Sequence, residues 1–417
     1  KNILSISEKK SLNFNDEIIL SLTRKGIVVN DTSSNKGQIA ESYEKYIKVK
    51  KGQICMNPMD LLSGWVDISS FEGLISPAYY TFELNEAVEN KFMNYFLQSN
   101  YLRKTFFKLG KGVASHDNFG RWVLTLEELK NIYVFIPKIE EQKLISHYLD
   151  KKIGQINKLI DKIQKKIELL KEHRALIINK SVTTGLDLNV EMKDSNIELI
   201  GKIPKDWKMS KIKYILDESK DSIRTGPFGS QLKSEDMIDK GIRVYNQRTV
   251  YDEDFVSGKI FVSFEKFETL KSFTVLNGDI LISSRGTIGK MTIVADGSEV
   301  GVLHPCLIRL RTNDEVVLKK YLWWYMNHSS LFIESVKLES NSTTIDVIYS
   351  NILSEIKFPL PKIKEQQKII EFLDKKITKI DTLIMRENQR VHILKEYKLS
   401  LISSVVTGKV CISEDMI

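Results

Sequence analysis

"PKIEEQKLISHYLDKKI" fills residues 137–153 and "PKIKEQQKIIEFLDKKI" fills residues 361–377, so the chain writes one charged segment twice at an offset of 224 residues (361 less 137). Under that offset Ile139 falls on Ile363, Glu141 and Gln142 on Glu365 and Gln366, residues 150–153 on 374–377, and Leu170, Lys171 and Glu172 on Leu394, Lys395 and Glu396. Both copies close alike after a one-residue slip, "SVTTG" at 181–185 and "SVVTG" at 404–408, with Gly where a helix takes its C-terminal cap.

Within the first copy, apolar residues recur at Ile153, Ile156, Ile160, Ile163, Ile167 and Leu170, in alternating steps of three and four, and Arg174 and Ile177 continue the frame. The second copy repeats the spacing at Ile377, Ile380, Ile384, Val391, Leu394 and Leu401, with Glu387 and Lys398 as polar interruptions. Such spacing is a coiled-coil seam, and two seams in one chain can pair with each other. About 40 residues of helix make a rod of roughly 60 Å. Burying each seam Ile or Leu stabilises the pairing by about 1.5–3 kcal/mol before entropy is counted.

The stretches between the helices are rich in short apolar runs punctuated by Gly, Pro, Asn and Asp, which predicts mixed α/β domains. In the later one, strands are expected at "RVYNQRTV" (243–250), "KIFVSF" (259–264), "DILISS" (279–284), "KMTIVA" (290–295) and "LIRLR" (307–311). In the earlier one, "EKYIKVKKGQICM" and "SPAYYTFEL" play similar parts. A weaker duplication joins these domains too: "VKKGQICMNP" resembles "VLNGDILISS", and residues 73–99 resemble residues 301–328. The fold class expected is α+β, with two mixed α/β domains alternating with two long helices. The boundaries are a first domain at 1–138, a first spacer helix at 139–185, a linker and second domain at 186–361, and a second spacer helix with its tail at 362–417.

A chain of 417 residues is long enough for several cores. No apolar run approaches the roughly 18 residues that would span a membrane. Lys and Arg number 62 against 54 Asp and Glu, a formal charge of +8, which permits a polyanionic partner without requiring one. Cys55, Cys306 and Cys411 lie far apart with no CxxC pair, so neither a disulfide framework nor a zinc site is indicated and a reducing cytoplasm fits best.

Catalytic motifs fail on inspection. "RGTIGK" at 285–290 lacks the phosphate loop's earlier Gly and following Ser or Thr, those places holding Ser284 and Met291. "TGPFGS" at 225–230 lacks GxGxxG spacing and reads as a tight turn. "NPMD" at 57–60 lacks the second Pro and aromatic of an adenine methyltransferase motif. The six histidines show no ligand spacing, so catalysis by this chain is rejected.

Recognition remains. Arg or Lys suits guanine and phosphate, and Asn or Gln suits adenine, each good bidentate pair discriminating by about 1–3 kcal/mol. Loop-like segments of the second domain offer Arg224, Gln231, Lys233, Asn246, Gln247, Arg248, Ser283, Ser284 and Arg285. The first domain offers Arg24, Lys25, Asn35 and Lys36, then "GKGVASHDNFGR" with Lys111, Ser115, His116, Asp117, Asn118 and Arg121. Each residue taken alone is more often a solvated loop side chain.

"IGKIPKDWKMSKIKYI" (200–215), "IRTGPFGSQLK" (223–233), "ISSRGTIGKM" (282–291) and the doubled segment at 137 and 361 together make the whole chain resemble the specificity subunit of a Type I restriction-modification system. The resemblance implies two target recognition domains, each reading one half of a split double-stranded DNA site, and spacer helices that pair as an antiparallel coiled coil. It implies two modification subunits that methylate adenine and restriction subunits that cleave. No cofactor is expected in this chain; S-adenosylmethionine, ATP and magnesium are implied for the partner subunits, and no membrane is expected. The first domain begins near the equivalent of Lys213, without a counterpart of residues 201–207, so a dozen or more preceding residues are expected. Two other readings stay open: a scaffold whose flanking domains bind protein, and the specificity arm of a system with a fused or different enzyme.

Overall fold

The computed structural model of the protein describes residues 4–6, 17–23, 26–30, 42–59, 66–113, 121–187, 189–257, 260–339 and 347–417, of which 4–6, 111–113, 121 and 122 are described by backbone alone. It forms two compact units, Lys1–Lys165 with Glu387–Ile417, and Lys166–Arg386. The sequence boundaries follow the repeat, whereas the units divide both long helices, Ile139–Thr184 and Ile363–Val406.

In the first unit, one antiparallel sheet runs in the order Leu4–Ile6, Tyr80–Leu84, Ile54–Met56, Val66–Ile68. A second layer pairs Leu20–Thr23 with Gly26–Val29 and Ile47–Val49 with Gly73–Ile75, and a parallel bridge from Ile19 to Leu74 joins the pairs. Leu20–Thr23 alternates buried and half-buried residues, as a strand covered on one face must. Helices Asn90–Gln98 and Asn100–Leu109 follow, and then the hairpin of Lys111–Val113 with Arg121–Val123.

The second unit repeats that plan. Its first sheet runs Ile223–Thr225, Leu307–Leu310, Ile280–Ser283, Met291–Ile293, all antiparallel. Its second runs Phe261–Val262, Ile242–Tyr245, Gly301–Leu303, Thr274–Val275, with Ile242–Tyr245 parallel to Gly301–Leu303. Ile280–Ser283 and Leu307–Leu310 are buried at every residue, the pattern of strands covered on both faces. Helices Lys319–His328 and Ser330–Glu339 stand where the first unit has its helix pair. Two expected strands are shorter than the apolar runs implied. "RVYNQRTV" leaves the sheet after Tyr245, because the Asn246 side chain accepts from Thr249 N at 3.2 Å and starts the helix Gln247–Asp252. "KIFVSF" likewise ends at Val262, where Ser263 caps the helix Phe264–Thr269.

The long helices run antiparallel within each unit. In the first, Ile145, Tyr148, Leu149 and Ile153 from the start of one helix pack in a common core with Ile402, Val405 and Val406 from the end of the other. In the second, Ile178 and Val182 pack with Ile369, Ile370, Leu373, Ile377 and Ile380, and Arg174 Nε donates to Asp381 Oδ1 at 2.8 Å. The seam positions Ile153, Ile156, Ile160, Ile163, Ile167, Ile377, Ile380 and Val391 are all buried. Both helices end on glycine at φ 73°, Gly185 and Gly408, as the repeat predicts.

Candidate nucleic-acid interface

Four strand ends of the second unit meet at one edge of its sheets. His304 N donates to Tyr245 O at 3.0 Å, Gly226 N to Leu307 O at 2.9 Å, and Ser284 N to Cys306 O at 2.9 Å. A Cβ on Gly226 would lie 2.1 Å from His304 O, so only glycine lets these strands approach so closely. From this edge spring the loop after residue 225, the helix Gln247–Asp252 and the loop 284–290. Gln247 Nε2 donates to Arg285 O, and Tyr251 Oη donates to the same carbonyl at 3.3 Å while accepting from Thr287 N at 3.0 Å. Arg285 also bridges Val347, and Ile348 N donates to Ser284 O at 2.8 Å. A surface cavity of about 440 Å³ opens beside the helix, lined by Asn246, Arg248, Thr249, Asp252, Asp254, Ser257 and Ile260. N–H and hydroxyl donors of Ser257 and the Val256 N–H hold the Asp254 carboxyl down to about 2, so it caps its loop as an anion.

The structure therefore brings Asn246, Gln247, Arg248, Ser284 and Arg285 together, and their chemistry separates them. Arg285 is exposed and has no ion pair among the described residues. Arg248 is 88% exposed and pairs with Asp252 at 3.1 Å across one helical turn, a surface pair worth about 0.3–0.5 kcal/mol that a phosphate can displace. Ser283 and Ser284 are buried, the Ser283 hydroxyl donating to Thr287 O. Gln231, Lys233 and Arg224 lie outside this group. Gln231 Oε1 accepts from Phe228 N at 3.0 Å, Lys233 N donates to Asp236 at 2.8 Å, and the Arg224 guanidinium meets Asp221, Ser272 and the Phe273 ring.

Arginine identity alone is a poor guide here. Arg309 is enclosed, its guanidinium donating to Thr274 O and Asp221 O, and Arg311 pairs with Asp279 at 2.8 Å. Arg243 is buried against Glu299 and Val256 O. These three hold the sheets. Sequence reasoning passed over Tyr251, which pins the Arg285 loop, and Phe228, which is 80% exposed within "TGPFGS". The available signal for Phe228 was an aromatic set among glycines with no apolar period to bury it.

In the first unit Arg24, Lys25, Asn35, Lys36, Ser115, His116, Asp117 and Asn118 lie outside the described residues. Lys111 and Arg121 stand on facing strands of one hairpin, opposite Val123 and Val113. Among the described residues no group of three His, Cys, Asp or Glu could hold a metal ion, and no helix is long and apolar enough to cross a membrane.

A duplicated sheet frame, each copy packed with an antiparallel pair of long-helix segments, defines a protein built of two like recognition units. The family model described as the Type I restriction modification DNA specificity domain matches residues 3–169 and 204–392, and the chain belongs to that family. It is 27% identical over 387 residues to the Type I restriction enzyme MjaVIII specificity subunit of Methanocaldococcus jannaschii, covering 88% of this chain and 82% of that protein. It is 20% identical over 428 residues to the EcoBI specificity subunit of Escherichia coli, covering 96% and 82%. A solved chain from work on complex assembly and conformational transition of the type I R-M system superposes with a TM-score of 0.69 over 94% of this chain and 92% of that one, at 14% identity.

Proposed function

We propose that this specificity subunit reads a bipartite, asymmetric duplex DNA site, one half through each recognition domain, and supplies address rather than reaction. The observation that carries the reading is that the two units share strand order, the first unit's two strand pairs being joined by the parallel bridge from Ile19 to Leu74, while the residues between matching strands differ in sequence. Equal frames dock alike on a duplex whose backbone has two-fold symmetry, and unlike loops then meet unlike bases. Phosphate contacts position each head and base contacts specify, so affinity falls steeply with salt as counterions are released.

The partners in this reading are two modification subunits, which flip and methylate adenine, and restriction subunits, which cleave. S-adenosylmethionine, ATP and magnesium serve those partners. The DNA substrate and the three free cysteines favour the cytoplasm. Nothing in the fold favours a protein-binding scaffold.

Mapping methylated adenines in DNA exposed to the assembled methyltransferase tests the proposal. Two unlike half-sites at a constant gap are expected. Methylation without sequence preference, or at one uninterrupted site, would overturn it.

A further inference from the structure

Gln142 and Gln366, which the repeat places on each other, are both fully buried and make the same three hydrogen bonds. Gln142 Oε1 accepts from Glu89 N at 2.8 Å, and its Nε2 donates to Ala87 O at 2.9 Å and Pro137 O at 2.8 Å. Gln366 Oε1 accepts from Leu318 N at 2.8 Å, and its Nε2 donates to Val316 O at 3.0 Å and Pro361 O at 2.9 Å. Two turns further along each helix the repeat's aspartate takes an aromatic donor: Tyr95 Oη to Asp150 Oδ1 at 2.6 Å, and Trp324 Nε1 to Asp374 Oδ1 at 3.1 Å. Each spacer helix is thereby fastened to the N-terminus and one face of the first helix of the pair that follows its domain's sheets, Asn90–Gln98 or Lys319–His328.

The chemistry of this fastening is directional. A buried amide is costlier than the leucine that would fill the same volume unless every donor and acceptor is matched, and here both N–H groups and the oxygen are matched in both copies. All three partners are backbone groups. The third partner is proline in both copies, while the other two carry diverged side chains, Ala87 against Val316 and Glu89 against Leu318, without disturbing the bonds.

We infer that Gln142 and Gln366, seconded by Asp150 and Asp374, are positioning residues that hold each reading head at one angle on its own helix and so make the gap between half-sites constant. The inference rests on the bipartite reading above. It accounts for heads that change their loops freely while keeping one seat.

The test uses the complete complex with its methyltransferase partner on duplexes carrying the mapped site with its native gap, or with one base pair added or removed. Wild type is expected to methylate the native gap selectively. Gln142→Leu and Gln366→Leu are expected to lower that selectivity about tenfold, with base preference within each half-site retained. Circular dichroism verifies folding. Folded glutamine variants that keep full gap selectivity overturn the inference. Should they fail to fold, Asp150→Ala combined with Asp374→Ala decides, since both carboxylates are exposed, and unchanged gap selectivity there overturns it equally. Wild type indifferent to the gap would instead overturn the bipartite reading itself.

Discussion

At one point in the shared frame the two units part company. In the first unit Thr23 pairs with Gly26, the Thr23 hydroxyl donating to Gly26 O at 2.9 Å. At the corresponding strand end of the second unit the chain leaves at Asn246, forms the helix Gln247–Asp252, and rejoins the sheet at Phe261. A strand must keep its apolar alternation to stay in the core, whereas the chain beyond its last paired residue is constrained only by closure, which grows slowly with loop length. Reading surfaces can therefore diverge while the frame cannot. In the second unit Lys357–Leu360 pairs with Lys208–Lys211, a strap beside buried Trp207.

The strap around Trp207 offers the sharpest break between the units. Trp207 lies in the second unit's core and donates from Nε1 to Glu365 Oε2 at 2.8 Å. Trp207→Ala is expected to cost about 3–5 kcal/mol. Differential scanning calorimetry should show the second unit's transition lowered and the first unit's unmoved; a uniform shift would mean the units do not unfold separately.

Arg285→Ala comes next. It is expected to relax base selectivity at one half-site by about 1–3 kcal/mol, read as relative methylation of singly substituted sites. Equal weakening at both halves would deny the arginine a reading role.

A pH titration separates the units again. Burial first, and Arg174 second, hold His328 down to about 4 from its ordinary 6.5, whereas the matching position of the first unit is Ser99. The unfolded chain takes this proton near 6.5 and the folded chain only near 4. The unfolded state thus binds more protons across that window, and stability falls as pH drops through it. After discounting for the part of the ring that solvent reaches, the loss is about 1–2 kcal/mol. Thermal melts of His328→Gln should show a flatter slope from pH 6.5 to 4 for the second unit only.

The smallest effect compares the two helix caps. Gly408→Ala places a Cβ in open space at φ 73° and is expected to cost about 1 kcal/mol. Gly185→Ala, whose Cβ would lie 3.1 Å from both Trp207 and Glu365, should cost more in the same urea titration. Equal costs would show that the strap yields without loss.

Much of the frame was legible because it is periodic. Three-and-four spacing located the seam from Ile153 to Ile167, and the glycines closing "SVTTG" and "SVVTG" located the caps. Toward the ends the reading drifts. The frame pointed to Ile177 and Leu401, yet Ile178 and Ile402 are the fully buried residues. A straight helix slips against a strict 3.5 period, and there the helices pack on domain cores as well as on each other. The site was less legible. From the sequence Asn246 and Gln247 suit adenine, and only the structure shows that Gln247 donates to the Arg285 carbonyl and that Asn246 caps a helix.

The sequence by itself determined the duplication, the seam and the order of domain and helix, because apolar periodicity and repeated residues need no knowledge of neighbours. Only the tertiary structure decided which polar side chains face solvent and which are occupied. Gln142 and Gln366 are matched in part by backbone groups some 50 residues away, and Arg309 is enclosed where Arg285 is exposed. A hydrogen bond's partner is chosen by proximity in space, and in this chain that proximity arises from strands and helices meeting across long separations.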